Sequence, residues 1–322
     1  MNKKLKKKTK GSWIYWAWGE AVAGAISLLI MKKAGLKMEI IDQVIIMVLA
    51  LSLFQVLISL IIAWIRGEKL FYRRRDFFWL SLFGIVIFFI DILAFVVFNL
   101  GGKMIIFSFI FSLSIIPGAV LDRFWFKKEF SKRQFIGIGV AILATYSMFN
   151  WPEIGGINAM RMLPLWIWLS IVASFFAAAI QGISFKIKDT TSPLVMNILG
   201  GSMVVMLALL ILTARGNLSL LVSTDPPYPL LWMLSIVLGA LVVGQWVCNI
   251  TSYKYKNVFI AMKMLVVRGT FLFLAVLLGV IFLQETFGIA QLIGMILYLG
   301  AFILIKEDIW QFLYQKKEKV VL

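Results

Sequence analysis

Glu129-Phe130-Ser131-Lys132-Arg133-Gln134-Phe135-Ile136-Gly137 is answered, near the other end of the chain, by Glu285-Thr286-Phe287-Gly288-Ile289-Ala290-Gln291-Leu292-Ile293-Gly294. Each stretch couples a loop glutamate, Glu129 or Glu285, to Gln-x-Ile-Gly at the head of a short apolar segment. The glutamine and glycine are Gln134 and Gly137 in one copy, Gln291 and Gly294 in the other. The first copy is one residue shorter between Glu and Gln. A motif that recurs before the last apolar segment of each half divides the chain into two related halves.

The content of each half follows from composition. Of 322 residues, 62% are apolar and 15% charged, and the mean hydropathy is +0.97. Soluble domains sit near 45–50% apolar with about 25% charged residues, so the surplus here has to meet lipid rather than water. A membrane-crossing helix takes roughly 20 residues, and ten of them would use about 200. Apolar stretches lie at about 12–31, 41–65, 77–98, 104–121 and 135–150, then at about 164–184, 194–213, 230–250, 258–283 and 289–305. Turn residues separate them: Gly101-Gly102, Pro152 with Gly155-Gly156, Pro193, and the run Asp225-Pro226-Pro227-Tyr228-Pro229. Trp and Tyr gather near several ends, as in interfacial belts. The expected fold is an all-α integral membrane protein of ten transmembrane helices. Its parts are a basic tail (1–11), a first five-helix repeat (12–150), an extracytoplasmic linker (151–163), a second repeat (164–305) and a tail (306–322).

The net charge of +17 could suggest a nucleic acid partner, until it is placed on the spans. The two tails and the loops after spans two, four, six and eight carry 24 Lys and Arg; the opposite loops carry 6. Over short loops that bias puts both termini in the cytoplasm. Attraction to anionic lipid at the cytoplasmic face accounts for Arg73-Arg74-Arg75 and Lys127-Lys128. A nucleic acid partner is therefore not expected. The run Lys3–Lys10 is read as part of this edge and not as a signal peptide, because the apolar stretch behind it is long and holds Glu20.

Five spans per half is an odd number, so the two copies lie upside down relative to each other. Inverted repeats characterise secondary transporters, whose substrate site lies near the midplane between the halves. With these features the chain resembles the EamA-type transporters of the drug/metabolite transporter superfamily. Their two five-helix repeats each end in a loop Glu, a Gln and an Ile-Gly opening the last helix. The resemblance implies a ten-helix exporter of a small metabolite, in a bacterial inner membrane. The family often carries a proline in the fourth helix of each repeat. Pro117 keeps it in the first half, whereas Arg268-Gly269-Thr270 occupies about that place in the second.

Absences restrict the chemistry. The chain has no histidine and one cysteine, Cys248, so His-based triads, imidazole proton shuttles and Cys/His metal sites are out of reach. No metal, cofactor or enzymatic activity is expected, and no nucleotide-binding G-x-x-x-x-G-K-[ST] loop is present. Four ionisable residues fall inside spans: Glu20, Asp91, Lys263 and Arg268. At the bilayer centre each costs roughly 2.5–3.5 kcal/mol on insertion scales, so all four should face the bundle interior. Around Glu20 the helical neighbours are Trp13, Trp16, Gly24 and Ser27. Span six offers Ser174, Ala177, Ala178 and Gln181 on one face, and span eight sets Gln245 and Asn249 four apart with Cys248 beside them.

Two readings follow for the charges. In one, Lys263 or Arg268 holds an anionic group of the substrate and Glu20 takes part in proton coupling. In the other, Glu20 and Asp91 neutralise span nine and fix helix packing. The candidate substrate and coupling residues are thus Glu20, Lys263, Arg268, Asp91, Trp16, Gln181, Gln245 and Asn249. Glu129 and Glu285 are read as structural caps on the first turn of the helix that follows each. The partners expected are a small-molecule substrate and an anionic bilayer, with a homodimer compatible. A flippase for a lipid-linked sugar and, further off, a membrane-embedded enzyme are the alternatives to secondary transport.

Overall fold

In lipid every backbone N–H and C=O needs a partner within the chain, so apolar segments of this length become helices. The computed structural model describes residues 13–38, 40–68, 70–127, 131–147, 163–223, 227–255 and 258–305. Glu129, both tails and the linker up to residue 162 lie outside the described residues. The described residues form helices and turns and no strand.

The first half holds α1 (Trp13–Gly35), α2 (Ile41–Arg66), α3 (Phe77–Asn99), α4 (Met104–Ser112), α5 (Ile115–Phe124) and α6 (Lys132–Ser147). The second holds α7 (Leu165–Ile187), α8 (Pro193–Ala214), α9 (Tyr228–Tyr253), α10 (Ile260–Leu283) and α11 (Ile289–Ile305). Among the described residues eight spans are long and apolar enough to cross a membrane, with α4 and α5 together making one; α6 and α11 add two shorter apolar helices. Local chemistry sets several ends. Pro193 opens α8 at a position where its missing N–H is no loss, and Ser192 Oγ accepts from Val195 N at 3.3 Å.

The fourth span, expected as one helix over about 104–121, is broken in two. Pro117 has no N–H to offer and its ring crowds the carbonyl one turn earlier. The chain adjusts ahead of it by tightening: Leu113 N and Ser114 N bond to Ile110 O and Phe111 O, and Leu113 O accepts from Ile116 N instead. The break falls at mid-span, beside the residues that line the central cavity.

Packing follows the exchange of the two halves, which maps α1 to α7, α2 to α8, α3 to α9, α4–α5 to α10 and α6 to α11. Accordingly α1 packs on α9 as α3 packs on α7, and α1 on α10 as α7 on α4 and α5. Helices α2 and α8, α6 and α11, and α10 with the broken span pair across the axis of this exchange. Two close approaches obey the same rule. A Cβ on Gly84 of α3 would lie 2.6 Å from Gly200 O of α8. One on Gly239 of α9 would lie 2.7 Å from Phe54 Cβ and 3.1 Å from Leu51 O of α2. Small residues let membrane helices meet backbone to backbone.

Carboxylates tie the crossing pair at both ends. Asp122, in the last turn of α5, accepts from Ile260 N at 3.2 Å and Ala261 N at 2.7 Å, at the head of α10. Glu285, just past the end of α10, accepts from Met104 N at 2.6 Å and Ile105 N at 2.8 Å, at the head of α4. Each charge meets the positive end of a helix dipole and two otherwise orphaned donors. Glu285 is aimed by a left-handed turn at the end of α10: Gln284 has φ 54 and Glu285 N bonds to Gly279 O at 3.1 Å. The expectation that Glu285 caps the helix after it is thus corrected. The first turn of α11 is served instead by Gln291, whose Oε1 accepts from Gly288 N at 2.8 Å. Gln134 and Gly137 lie in α6, and Gly294 in α11.

Hydrogen bonds to a charged partner are worth about 1.5–3 kcal/mol each. Glu285→Ala and Asp122→Ala are each expected to lower the unfolding free energy by about 2–4 kcal/mol, whereas Glu285→Gln retains part of that. Thermal unfolding in detergent measures the difference; an Ala variant indistinguishable from the parent would contradict the capping role.

Candidate functional site

The four charges inside the membrane do not behave alike. Glu20 of α1 and Lys263 of α10 form an ion pair, Nζ to Oε2 at 2.7 Å, with side chains 2% and 0% exposed. Charges this deep are tolerable only when their remaining hydrogen-bonding capacity is filled. Here α7 and α9 fill it. Glu20 Oε1 accepts from Gln181 Nε2 at 3.0 Å and from Asn249 Nδ2 at 2.9 Å. Gln181 Oε1 accepts from Asn249 Nδ2, Tyr253 OH and Lys263 Nζ at 2.9, 2.8 and 3.1 Å. Lys263 Nζ also donates to Asn249 O at 3.2 Å and sits 4.0 Å from the centre of the Tyr253 ring. One network thereby joins four helices, one from the first half and three from the second.

Local sequence makes this meeting possible. Gly19, beside Glu20, faces α9 with no side chain; a Cβ there would lie 2.9 Å from Cys248 Sγ. The bare surface lets α1 close on α9 so that a glutamate reaches an asparagine. On α9, Gln245, Asn249 and Tyr253 stand at successive spacings of four and share a face.

Above the network lies a cavity of about 100 Å³, lined from both halves. Glu20, Gln181 and Gln245 form one part of its wall, and Arg268 and Asp91 add further charge. Phe107, Phe111, Phe271 and Trp246 supply aromatic surface. Arg268 is held by Ser114 at the break in the fourth span, Nε to Oγ at 3.2 Å, with its guanidinium 4.1 Å from the centre of the Phe111 ring. Among the described residues that is its sole hydrogen bond, and Arg268 is one of the residues lining the cavity. Asp91, half-buried on α3, has no hydrogen bond or ion pair among the described residues.

The sequence-based candidates are therefore sorted by the structure. Glu20, Gln181, Gln245, Asp91 and Arg268 reach the cavity. Asn249 and Lys263 lie behind it in the network and do not line it. Trp16 is exposed and donates from Nε1 to Tyr255 OH at 3.2 Å, away from the cavity. Tyr253 and Ser114 were not among the candidates. The stripe of Gln245, Asn249 and Tyr253 carries a signal for the first; for the second, only the proximity of Pro117 does.

Comparisons with known proteins agree with this architecture. The EamA-like transporter family matches residues 11–150, the first five-helix half. Among 28 matching chains of solved structures, one described as "Crystal structure of protein" superposes with a TM-score of 0.61 over 91% of this chain and 95% of that one. At 13% identity that likeness speaks for the fold alone. No curated protein matches the chain. Over residues 11–150 the chain is thus similar to the EamA-like transporter family, and the eight long apolar helices among the described residues mark an integral membrane protein.

Proposed function

We propose that the protein is a secondary transporter that exports a small metabolite across a bacterial inner membrane, with both termini in the cytoplasm. The observation that carries this reading is the cavity between the halves, walled by aromatic rings and holding charged groups of both signs. Arg268 is the anion-binding residue: its terminal amino groups can donate in parallel to a carboxylate or phosphate. Asp91, unpaired on α3, receives a cationic group or a donor on the same substrate. The ring walls take its apolar body. The volume of about 100 Å³ suits a metabolite of few atoms better than the head group of a lipid-linked sugar, which disfavours the flippase reading.

Transport by alternating access then consists of the two inverted halves rocking about this cavity. The energy comes from a proton or a counter-substrate. Glu20 is the coupling group in this scheme because it touches both the cavity and the buried network. Protonation would release Lys263 from its 2.7 Å ion pair. It would also weaken the charge-assisted acceptor that holds Gln181 and Asn249 in place. A local charge event is thereby converted into a change in packing among α1, α7, α9 and α10.

Liposomes holding the purified protein test the reading, with labelled organic acids, amino acids and phosphorylated metabolites offered with and without a pH gradient. Arg268→Gln should lower transport of an anionic substrate about 10–100-fold, the worth of one charge-assisted hydrogen-bonding group. Full-rate transport by that variant would refute the anion site. Lys263→Met leaves Glu20 buried without its partner and should cost about 3–5 kcal/mol of stability. The double variant Glu20→Gln/Lys263→Met, which removes both charges together, should recover most of that loss in thermal unfolding. It should also exchange substrate without responding to the pH gradient. Persistent coupling in the folded double variant would place the proton site elsewhere.

A further inference from the structure

A second cavity, of about 680 Å³, opens on the outside of the bundle between α3, α5 and α7. Its walls are apolar almost throughout, from Leu113, Ile116, Pro117 and Val120 on one side to Phe175 and Ile183 on the other. It ends at a pair of tryptophans, Trp79 and Trp125, with ring centres 5.5 Å apart. From Leu113 to Trp125 the groove runs about 18 Å at the helical rise of 1.5 Å per residue. One leaflet of a bilayer core is about 15 Å deep.

The tryptophan contact also gathers charge. It brings the start of α3, preceded by Arg74 and Arg75, against the end of α5, which carries Arg123 and is followed by Lys127. All four side chains are exposed and have no counter-ion among the described residues. Of the described carboxylates on these segments, Asp76 is buried and Asp122 is engaged at the head of α10. A groove one leaflet deep therefore ends in aromatic rings of the kind that sit at the head-group level, under a cationic rim with no counter-ion among the described residues.

We propose that this groove is a binding site for one anionic phospholipid of the bilayer. An acyl chain lies along α5 and α7, and the phosphate rests on Arg74, Arg75, Arg123 and Lys127. A zwitterionic lipid could use the groove but leaves the rim uncompensated, and a soluble phosphate could use the rim but leaves the groove empty. Joint use of both selects an anionic amphiphile. The site is separate from the central cavity, so binding is measured without any transport assay.

The full-length protein, in nanodiscs of equal phosphatidylglycerol and phosphatidylcholine, is extracted gently and its retained lipids are counted by native mass spectrometry. Phosphatidylglycerol should be retained preferentially by the parent. Arg74→Gln/Arg75→Gln/Arg123→Gln should reduce that preference by about fivefold for each arginine removed. Val120→Trp fills the groove from an exposed position and leaves the rim intact; it should displace the retained lipid. Equal retention of the two lipids by the parent would overturn the proposal. So would a preference that survives the triple variant, or retention unaffected by Val120→Trp in a variant that unfolds at the parent's temperature.

Discussion

The arrangement of this bundle depends on a lysine that has no contact with water. Lys263 is fully buried, and an ammonium so placed is tolerable only against a carboxylate with its other donors satisfied. Glu20 supplies the charge, and Gln181, Asn249 and Tyr253 supply the remaining partners. Moving α1, α7, α9 or α10 alone would strand at least one of these groups. The network therefore fixes where the first helix of one repeat meets three helices of the other. That junction in turn defines one wall of the central cavity.

The second organising element is the exchange of halves. It governs gross packing, with α1 on α9 matched by α3 on α7, and it reaches individual atoms. Gly84 and Gly239 stand at the crowded points of equivalent helix pairs, and Asp122 and Glu285 each hold the head of the other's span. The charges break the pattern. Pro117 interrupts the fourth span, while its counterpart α10 continues without a break and carries Lys263 and Arg268. Symmetry supplies the frame and its local violation supplies the chemistry, with Ser114 at the break reaching Arg268.

Much of this was legible in the sequence because membrane burial is a severe filter. Helices are the natural outcome for long apolar runs, so the ten spans emerged with ends shifted by a few residues, and the intramembrane charges stood out against them. The ion pairing was legible only as a balance of signs: nothing in the spacing says that Glu20 meets Lys263 while Asp91 stays unpaired. Asp122 escaped notice because it lies at a span end, where a carboxylate is unremarkable until its partner 138 residues away is known. Glu285 was found, yet was assigned to the wrong helix, since capping is read locally in sequence and was made here across the fold. The break at Pro117 was visible as a proline but not as a hinge beside the cavity. Lys263 was open to two readings, substrate ligand or ion-pair partner, and packing sets it against Glu20 behind the cavity wall.

The reciprocal caps carry a consequence for biogenesis. The head of α4 is completed by a carboxylate 181 residues further along the chain. While the ribosome is still making the second repeat, the first turn of α4 lacks its acceptor, and Asp122 has no helix end to hold. The two halves thus mature together, after the ninth span has been inserted, and neither is a finished unit before then. Two separate copies of such a half would have to pair across the same two-fold exchange to meet this need. With both halves on one chain, that mutual completion is a property of each molecule, independent of the concentration of copies in the membrane.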